Sequence, residues 1–327
     1  MEDETFSVLS FNIRFILDRW NERKSMVEDI VQAYDIVGMQ EVEVGGSSKG
    51  QAADFARLMT THRFFSTACF PAYIEHTAFI GGLFATLFHS SFGRAFRDLY
   101  STLNHLILEL LLSYIGASFL FHSAFIGDIV FFILGTGWLF GNLIGIDKRF
   151  HPEKLNPLLL GGKYRVAQRS LLHMKKGDEK RKVYVINTHL SDTPFTQDKS
   201  VIERCETARV KEFLAIMNSV ILGHNDSMII MGDMNSPPHE ELHSLALANG
   251  FRSAFKKVHG NEPPHTFHQS HECATKDVGP EECYDYIFYK GPLDAVTAQL
   301  VGAAPSKTDV SLYPSDHYGI TATFKLT

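Results

Sequence analysis

Six short motifs place carboxylate, amide and imidazole side chains where runs of strand-forming residues end. In chain order the motifs contain Asn12 (SFNIR), Glu41 (MQEV), Asn187 with His189 (INTHL), Asp233 with Asn235 (GDMN), Asp285 (YDYIF), and Asp316 with His317 (SDH). Sheet proteins collect functional groups at strand ends because the loops there can converge. The motifs therefore predict one site that is assembled from most of the length of the chain.

These residue types suit the hydrolysis of a phosphate ester. Mg²⁺ prefers hard oxygen ligands, often one or two carboxylates, and a bound ion polarises the phosphoryl oxygen. A carboxylate with a neighbouring amide can position and deprotonate water, and a histidine held by an aspartate can stabilise charge on phosphate. Each motif alone is typical of a capped turn, so the prediction depends on the occurrence of all six in one chain.

The segments between the motifs alternate between strand and helix patterns. Residues 5–13 and 35–41 favour buried strands, with a helical spacing of apolar residues over 23–34 between them. Later patterns predict strands at 141–146, 164–174, 183–190, 227–235, 284–290 and 318–326, and helices at 198–222 and 239–248. The fold class indicated is α/β.

The order FNIR, QEV, NTHL, GDMN, DYIF, SDH resembles the endonuclease/exonuclease/phosphatase superfamily, which includes DNase I-like nucleases, neutral sphingomyelinases and inositol polyphosphate 5-phosphatases. The resemblance covers residues 1–65 and 141–327, apart from the first few residues. It implies a four-layer α/β sandwich, in which two packed mixed β-sheets are flanked by helices. It also implies a hydrolase acting on ester bonds.

The resemblance further implies a divalent cation, Mg²⁺ or alternatively Mn²⁺. Matched position by position, Glu41 resembles the principal metal ligand and Asn12 lies beside the metal. Asp316 would complete the network of metal and histidine.

The same matching gives catalytic roles to five more residues. Asp233 would orient or deprotonate the attacking water, while Asn235 and His189 would contact the phosphate. Asp285 would orient His317, which would stabilise the transition state. Arg165 and Arg169 lie near the expected site, and the pattern favours a solvated strand edge for them over phosphate contacts.

Residues 66–140 depart from the family pattern. The segment is rich in Phe, Leu, Ile and Gly, with apolar stretches at 77–92, 103–121 and 124–140. We interpret it as an inserted hydrophobic helical segment that anchors the protein to a membrane; a soluble helical lid is the alternative. Because the motifs lie on both sides of this segment, the number of complete membrane crossings must be even.

Location and charge shape the prediction of substrate. The formal net charge is -6 with a pI near 6.2. This charge argues against a protein that binds nucleic acid through contacts with its phosphates. A phosphate ester in a membrane lipid headgroup is therefore the expected substrate, with the catalytic domain membrane-associated and facing the cytosol. A Mg²⁺-dependent nuclease of DNA or RNA is the alternative, followed by an inactive membrane scaffold, and no protein partner is inferred.

Overall fold

The computed structural model describes residues 5–17, 19–44, 50–68, 140–161, 165–194, 196–267 and 280–327. Its first sheet is mixed: the strand Thr5–Asn12 pairs in parallel with Ile36–Glu43 and antiparallel with Gly319–Leu326. In spatial order its strands are β12 (Leu293–Val301), β13 (Gly319–Leu326), β1 (Thr5–Asn12), β2 (Ile36–Glu43), β4 (Phe140–Asp147) and β3 (His62–Ala68).

The second sheet is also mixed, since β9 runs parallel to β8 and antiparallel to β11. In spatial order its strands are β10 (Arg252–Ser253), β11 (Asp285–Lys290), β9 (Ser227–Asp233), β8 (Glu179–His189), β7 (Val166–Lys176) and β5 (Glu153–Lys154), with β6 (Leu158–Leu159) also paired to β7. The helices of the described residues are α1 (Trp20–Val31), α2 (Gln51–Leu58), α3 (Lys199–Met217), α4 (Glu241–Ala248) and α5 (Ala254–His259), with a short 3-10 helix at Lys148–Phe150.

Alternation along the strands divides the apolar side chains among three layers. Val185 and Ile229 face the first sheet and pack with Val8 in the core between the sheets. Their neighbours Ile186 and Ile230 face the opposite way and pack under α3 and α4. Such alternation follows from the two-residue period of a strand.

On the outer face of the first sheet, Leu9 and Phe11 of β1 pack with Val27 of α1 and Phe55 of α2. The two sheets therefore lie face to face with helices outside them, as the sequence predicts.

A buried amide joins the two sheets next to the strand ends. Asn187 on β8 donates to the carbonyl oxygens of Met39 (2.8 Å) and Leu143 (3.2 Å) in the first sheet, and accepts a hydrogen bond from Gln40 (2.6 Å). Both side chains are fully buried. The contact fixes the first sheet against the second where their polar residues meet.

The predicted strands and helices are present, with three differences. The helix predicted over 198–222 ends at Met217, because its polar C-cap Asn218 is followed by a turn and extended chain. The charged stretch 175–182, which lies between two predicted strands, pairs almost throughout, leaving Gly177 and Asp178 as the turn. The sequence patterns also failed to predict β3, β5, β6, β10, β12, α2 and α5.

The ends of the predicted insertion 66–140 are strand, which corrects its boundaries. Residues 66–68 continue β3 and Phe140 begins β4, because the two strands pair antiparallel until Ala68 lies opposite Gly141. The predicted helical segment itself, residues 69–139, lies outside the described residues. Within the described ranges, no helix combines the length and the apolar character needed to cross a bilayer.

Candidate active site

Three neighbouring strands of the second sheet end in a row of ionisable side chains. His189 at the end of β8 is the register partner of Asp233 at the end of β9. Asp233 in turn is the register partner of Asp285 at the start of β11. All three side chains are buried, so the register of the sheet brings together residues that are almost a hundred positions apart.

His317 completes this row from the loop that precedes β13. Its Nδ1 donates to Asp285 Oδ2 at 2.8 Å, and its Nε2 lies 3.7 Å from Asp233 Oδ2. Thr266 supports the pair, because its hydroxyl oxygen accepts from the backbone N–H of Asp285 at 3.0 Å. The structure thus brings Asp285 and His317, both predicted site residues, into direct contact.

The first sheet contributes Asn12 and Glu41, which face Asp233 from across the sandwich. The Asn12 amide nitrogen lies 3.1 Å from both Glu41 Oε1 and Asp233 Oδ2. Glu41 has a left-handed backbone (φ 54°), and the β2–β4 register shifts between Met39 and Val42. Bulges of this kind redirect a side chain at a strand end, and here the side chain is the predicted metal ligand.

Asn235 holds two strand-end loops together. Its backbone N–H donates to Asp233 Oδ1 at 2.9 Å, and its amide nitrogen donates to the carbonyl oxygen of Leu190 at 3.0 Å. The residue is left-handed (φ 49°), a conformation that asparagine tolerates better than most residues. Asn235 therefore lies beside Asp233 and also fixes the position of its carboxylate.

The two histidines differ in charge. Burial lowers the pKa of His189 well below its ordinary value, and the positive charges of Arg165 and His317 lower it further. Burial also opposes the charged form of His317, but the nearby carboxylates of Asp285 and Asp233 outweigh it and raise the pKa of His317 to about 9. At neutral pH the site holds one neutral and one positively charged imidazole.

Asp233 is the third titrating group. Burial, and then the negative charge of Asp285, raise the pKa of Asp233 to about 7, although His317 and the hydrogen bonds from Asn235 and Asn12 act in the opposite direction. A carboxylate with a pKa near the working pH is suited to proton transfer.

Asp316 is in a different environment from the one predicted. Its Oδ2 forms a buried ion pair with Nη1 of Arg14, and its Oδ1 accepts from the Ser315 hydroxyl at 3.1 Å. The structure thus places Asp316 at the edge of the site with an arginine as its direct partner.

Sequence reasoning missed Arg14 and Arg23. Arg23 is 1% exposed and donates to several backbone carbonyl oxygens of the loop after β1. Arg169 donates to the carbonyl oxygens of Asn156 and Ser219, a structural role. Arg165 pairs with Asp192 at 2.6 Å.

The residues of the site fit a divalent cation. Asn12 brings the carboxylates of Glu41 and Asp233 towards one point, and Asp285 Oδ1 is buried without a hydrogen-bond partner in the described part of the chain. One ligand atom each from Asp233, Asp285 and His317 lies within 4.8 Å of the others. Since Asp285 and His317 already bind each other, Glu41, the predicted metal ligand, is the better oxygen donor for an ion of the Mg²⁺ type.

One family model matches part of the chain. Residues 193–317, less than half of the chain, match the model of the Endonuclease/Exonuclease/phosphatase family. No curated protein matches the sequence.

Several solved structures share the fold. Truncated TDP2 from Caenorhabditis elegans has a TM-score of 0.61 at 18% identity, covering 98% of each chain. An endonuclease/exonuclease/phosphatase from Bacteroides vulgatus has a TM-score of 0.61 at 16% identity, covering 99% of this chain and 100% of the other. TDP2 from D. rerio, complexed with a single strand DNA product, has a TM-score of 0.57 at 15% identity, covering 99% and 100%.

The family match and the shared fold confirm the resemblance to the endonuclease/exonuclease/phosphatase superfamily that the motifs predict. The members of this superfamily are hydrolases acting on phosphoester bonds with divalent metal ions, so the predicted class of enzyme is confirmed as well. At these identities the structures establish the fold and leave the substrate to further argument.

Proposed function

We propose that the chain hydrolyses a phosphate ester by the attack of water, with Mg²⁺ bound at Glu41. The row of His189, Asp233 and the Asp285–His317 pair, facing Glu41 across the sandwich, is the observation that carries this proposal. When bound, the ion supplies a positive charge that polarises the phosphoryl oxygen.

The protein residues divide the remaining work. Asp233, held by Asn12 and Asn235, orients the water and accepts its proton. The neutral His189 donates a hydrogen bond to a phosphoryl oxygen. His317, kept positively charged by Asp285, stabilises the negative charge that grows on the phosphate.

For the substrate, the comparisons support nucleic acid over lipid. One neighbour of similar fold is described as complexed with a single strand DNA product, so we propose a nucleic-acid phosphodiester or terminal phosphate as the first substrate class. The predicted lipid headgroup stands as the second candidate, because residues 69–139 are strongly apolar.

A hydrolysis panel with the full chain tests both the proposed reaction and the proposed class of substrate. Single-stranded DNA, double-stranded DNA, RNA, phosphoinositide vesicles and sphingomyelin vesicles are each incubated with Mg²⁺, and fragment, phosphate or headgroup release is measured. Asp233→Asn should lower the rate on the true substrate by roughly 10²-fold or more.

The matched control is Asp226→Asn, which removes the same charge just before β9, at the end opposite the site. It should keep the wild-type rate. Hydrolysis of lipid alone would overturn the nucleic-acid assignment, while hydrolysis of nothing on the panel, or full activity of Asp233→Asn, would overturn the phosphoesterase proposal.

A further inference from the structure

The strongest feature that the proposed reaction does not use is the buried pair of Arg14 and Asp316. Asp316 is a carboxylate that the motif order assigns to the metal, yet the Nη1 atom of Arg14 binds its Oδ2 and the hydroxyl of Ser315 binds its Oδ1. Each side chain of the pair is only 10% exposed. A guanidinium therefore holds the carboxylate oxygen that a cation would otherwise take.

The position of Arg14 is built into the loop. Its backbone is left-handed (φ 56°) and its N–H donates to Asn12 Oδ1 at 3.0 Å. Non-glycine residues adopt this conformation rarely and keep it only where the surroundings enforce it. The loop geometry thus links the predicted metal-site residue Asn12 directly to the arginine.

Arg23 binds both the loop that carries Arg14 and the loop that carries Asp316. It donates to the carbonyl oxygens of Arg14 (2.9 Å) and Phe15 (2.8 Å) after β1, and to that of Pro314 (2.9 Å) in the loop that carries Asp316. The Ser315 hydroxyl adds a bond to the carbonyl oxygen of Asn12 at 2.7 Å. Because both loops are fixed by buried polar contacts, the pairing of Arg14 with Asp316 is part of the fold.

A second divalent ion at Asp316 would have to displace this guanidinium or lie against it. Arginine stays protonated at all working pH values and binds carboxylates and phosphates with a rigid set of N–H donors. We propose that Arg14 is a built-in cation that takes the place of a second metal ion, so that the site binds a single divalent ion at Glu41. This inference rests on the proposed metal-dependent hydrolysis.

Calorimetric titration of the full chain with Mn²⁺ tests the inference without any measurement of activity. The wild type should bind one ion, and so should Arg14→Lys, which keeps the charge. Arg14→Met should expose Asp316 and bind two ions, and adding Asp316→Asn to it should restore a stoichiometry of one. The matched control, Arg19→Met, removes an exposed arginine that pairs with Glu22 and Asp309, and should still bind one ion.

The possible outcomes distinguish a failure of the proposed role of Arg14 from a failure of the proposed metal-dependent hydrolysis. Two ions in the wild type, or one ion in a correctly folded Arg14→Met, would overturn the role of Arg14 and leave metal-dependent hydrolysis standing. If circular dichroism shows that Arg14→Met does not fold, the stoichiometry of the wild type and of Arg14→Lys decides. No ion bound by the wild type, together with no hydrolysis in the panel above, would remove the proposed function itself.

Discussion

Among the groups that raise the pKa of His317, the carboxylate of Asp285 has the largest effect. This carboxylate lies 2.8 Å from His317 Nδ1. The proposed mechanism assigns hydrogen bonding to one imidazole and charge stabilisation to the other. A change confined to Asp285 should therefore affect the second task more than the first.

We expect Asp285→Asn to lower kcat by roughly 10²–10⁴-fold, with a smaller effect on KM. The amide still accepts a hydrogen bond from Nδ1 but removes the negative charge that raises the pKa of His317. An NMR titration should show the pKa of His317 falling from about 9 towards its ordinary value. Asp294→Asn, a half-buried acid on β12 that lies near Lys257, is the control; an unchanged pKa in Asp285→Asn would contradict the assignment.

Among individual residues, the sequence predicts those that stand in a recognisable polar motif. Asp285, His317 and Asp233 stand in short polar runs at strand ends, and the structure brings them together. Arg14 and Arg23 have no such signal, because their partners are backbone carbonyls or a carboxylate 302 positions away. Only the folded loops reveal those contacts.

At the scale of elements, β9 must approach β8 closely at the residue before Asp233. Gly232 has φ 146°, and a Cβ atom there would overlap the backbone carbonyl oxygen of Thr188. The strand end therefore needs glycine in order to keep the parallel pairing of His189 with Asp233.

Gly232→Ala should reduce the free energy of unfolding by about 2–3 kcal/mol and lower activity as well, because the strand end that carries Asp233 must shift. Gly177→Ala is the matched control: that glycine is also left-handed (φ 61°), but nothing lies within 4 Å of its added Cβ. Its cost should be about 1 kcal/mol with activity unchanged. Urea denaturation and kcat measure both variants, and equal costs would show that the contact with Thr188 is unimportant.

Element prediction succeeds where the pattern is long and fails where it is short or irregular. The β9 run SMIIMGD is fully buried and unmistakable in the sequence. No sequence pattern predicts the bulge that directs the Glu41 side chain towards the site, because the bulge results from pairing with β4, about a hundred residues later. The edge strand β12 was missed because its burial alternates irregularly across a register shift.

At the scale of the whole molecule, the pairing of β3 with β4 determines where residues 69–139 join the sandwich. Ala68, the last residue of β3, and Gly141, the second residue of β4, are register partners in the first sheet. The chain thus leaves the sandwich and returns to it at neighbouring positions, which meets the requirement that both halves of the site remain on one side of any membrane.

We propose that residues 69–139 bind membranes and that the sandwich folds without them. Because the two strand ends lie side by side, a short glycine-rich turn in place of residues 69–139 would close β3 and β4 as a hairpin, for which connections of about 2–5 residues are usual. The shortened chain should retain the unfolding cooperativity and kcat of the full chain on a soluble phosphate ester. It should also lose co-sedimentation with phosphatidylcholine vesicles, which the full chain should show. A full chain that stays in the supernatant would contradict the membrane role, whereas a shortened chain that fails to fold would mean that the segment packs on the sandwich, as a lid does.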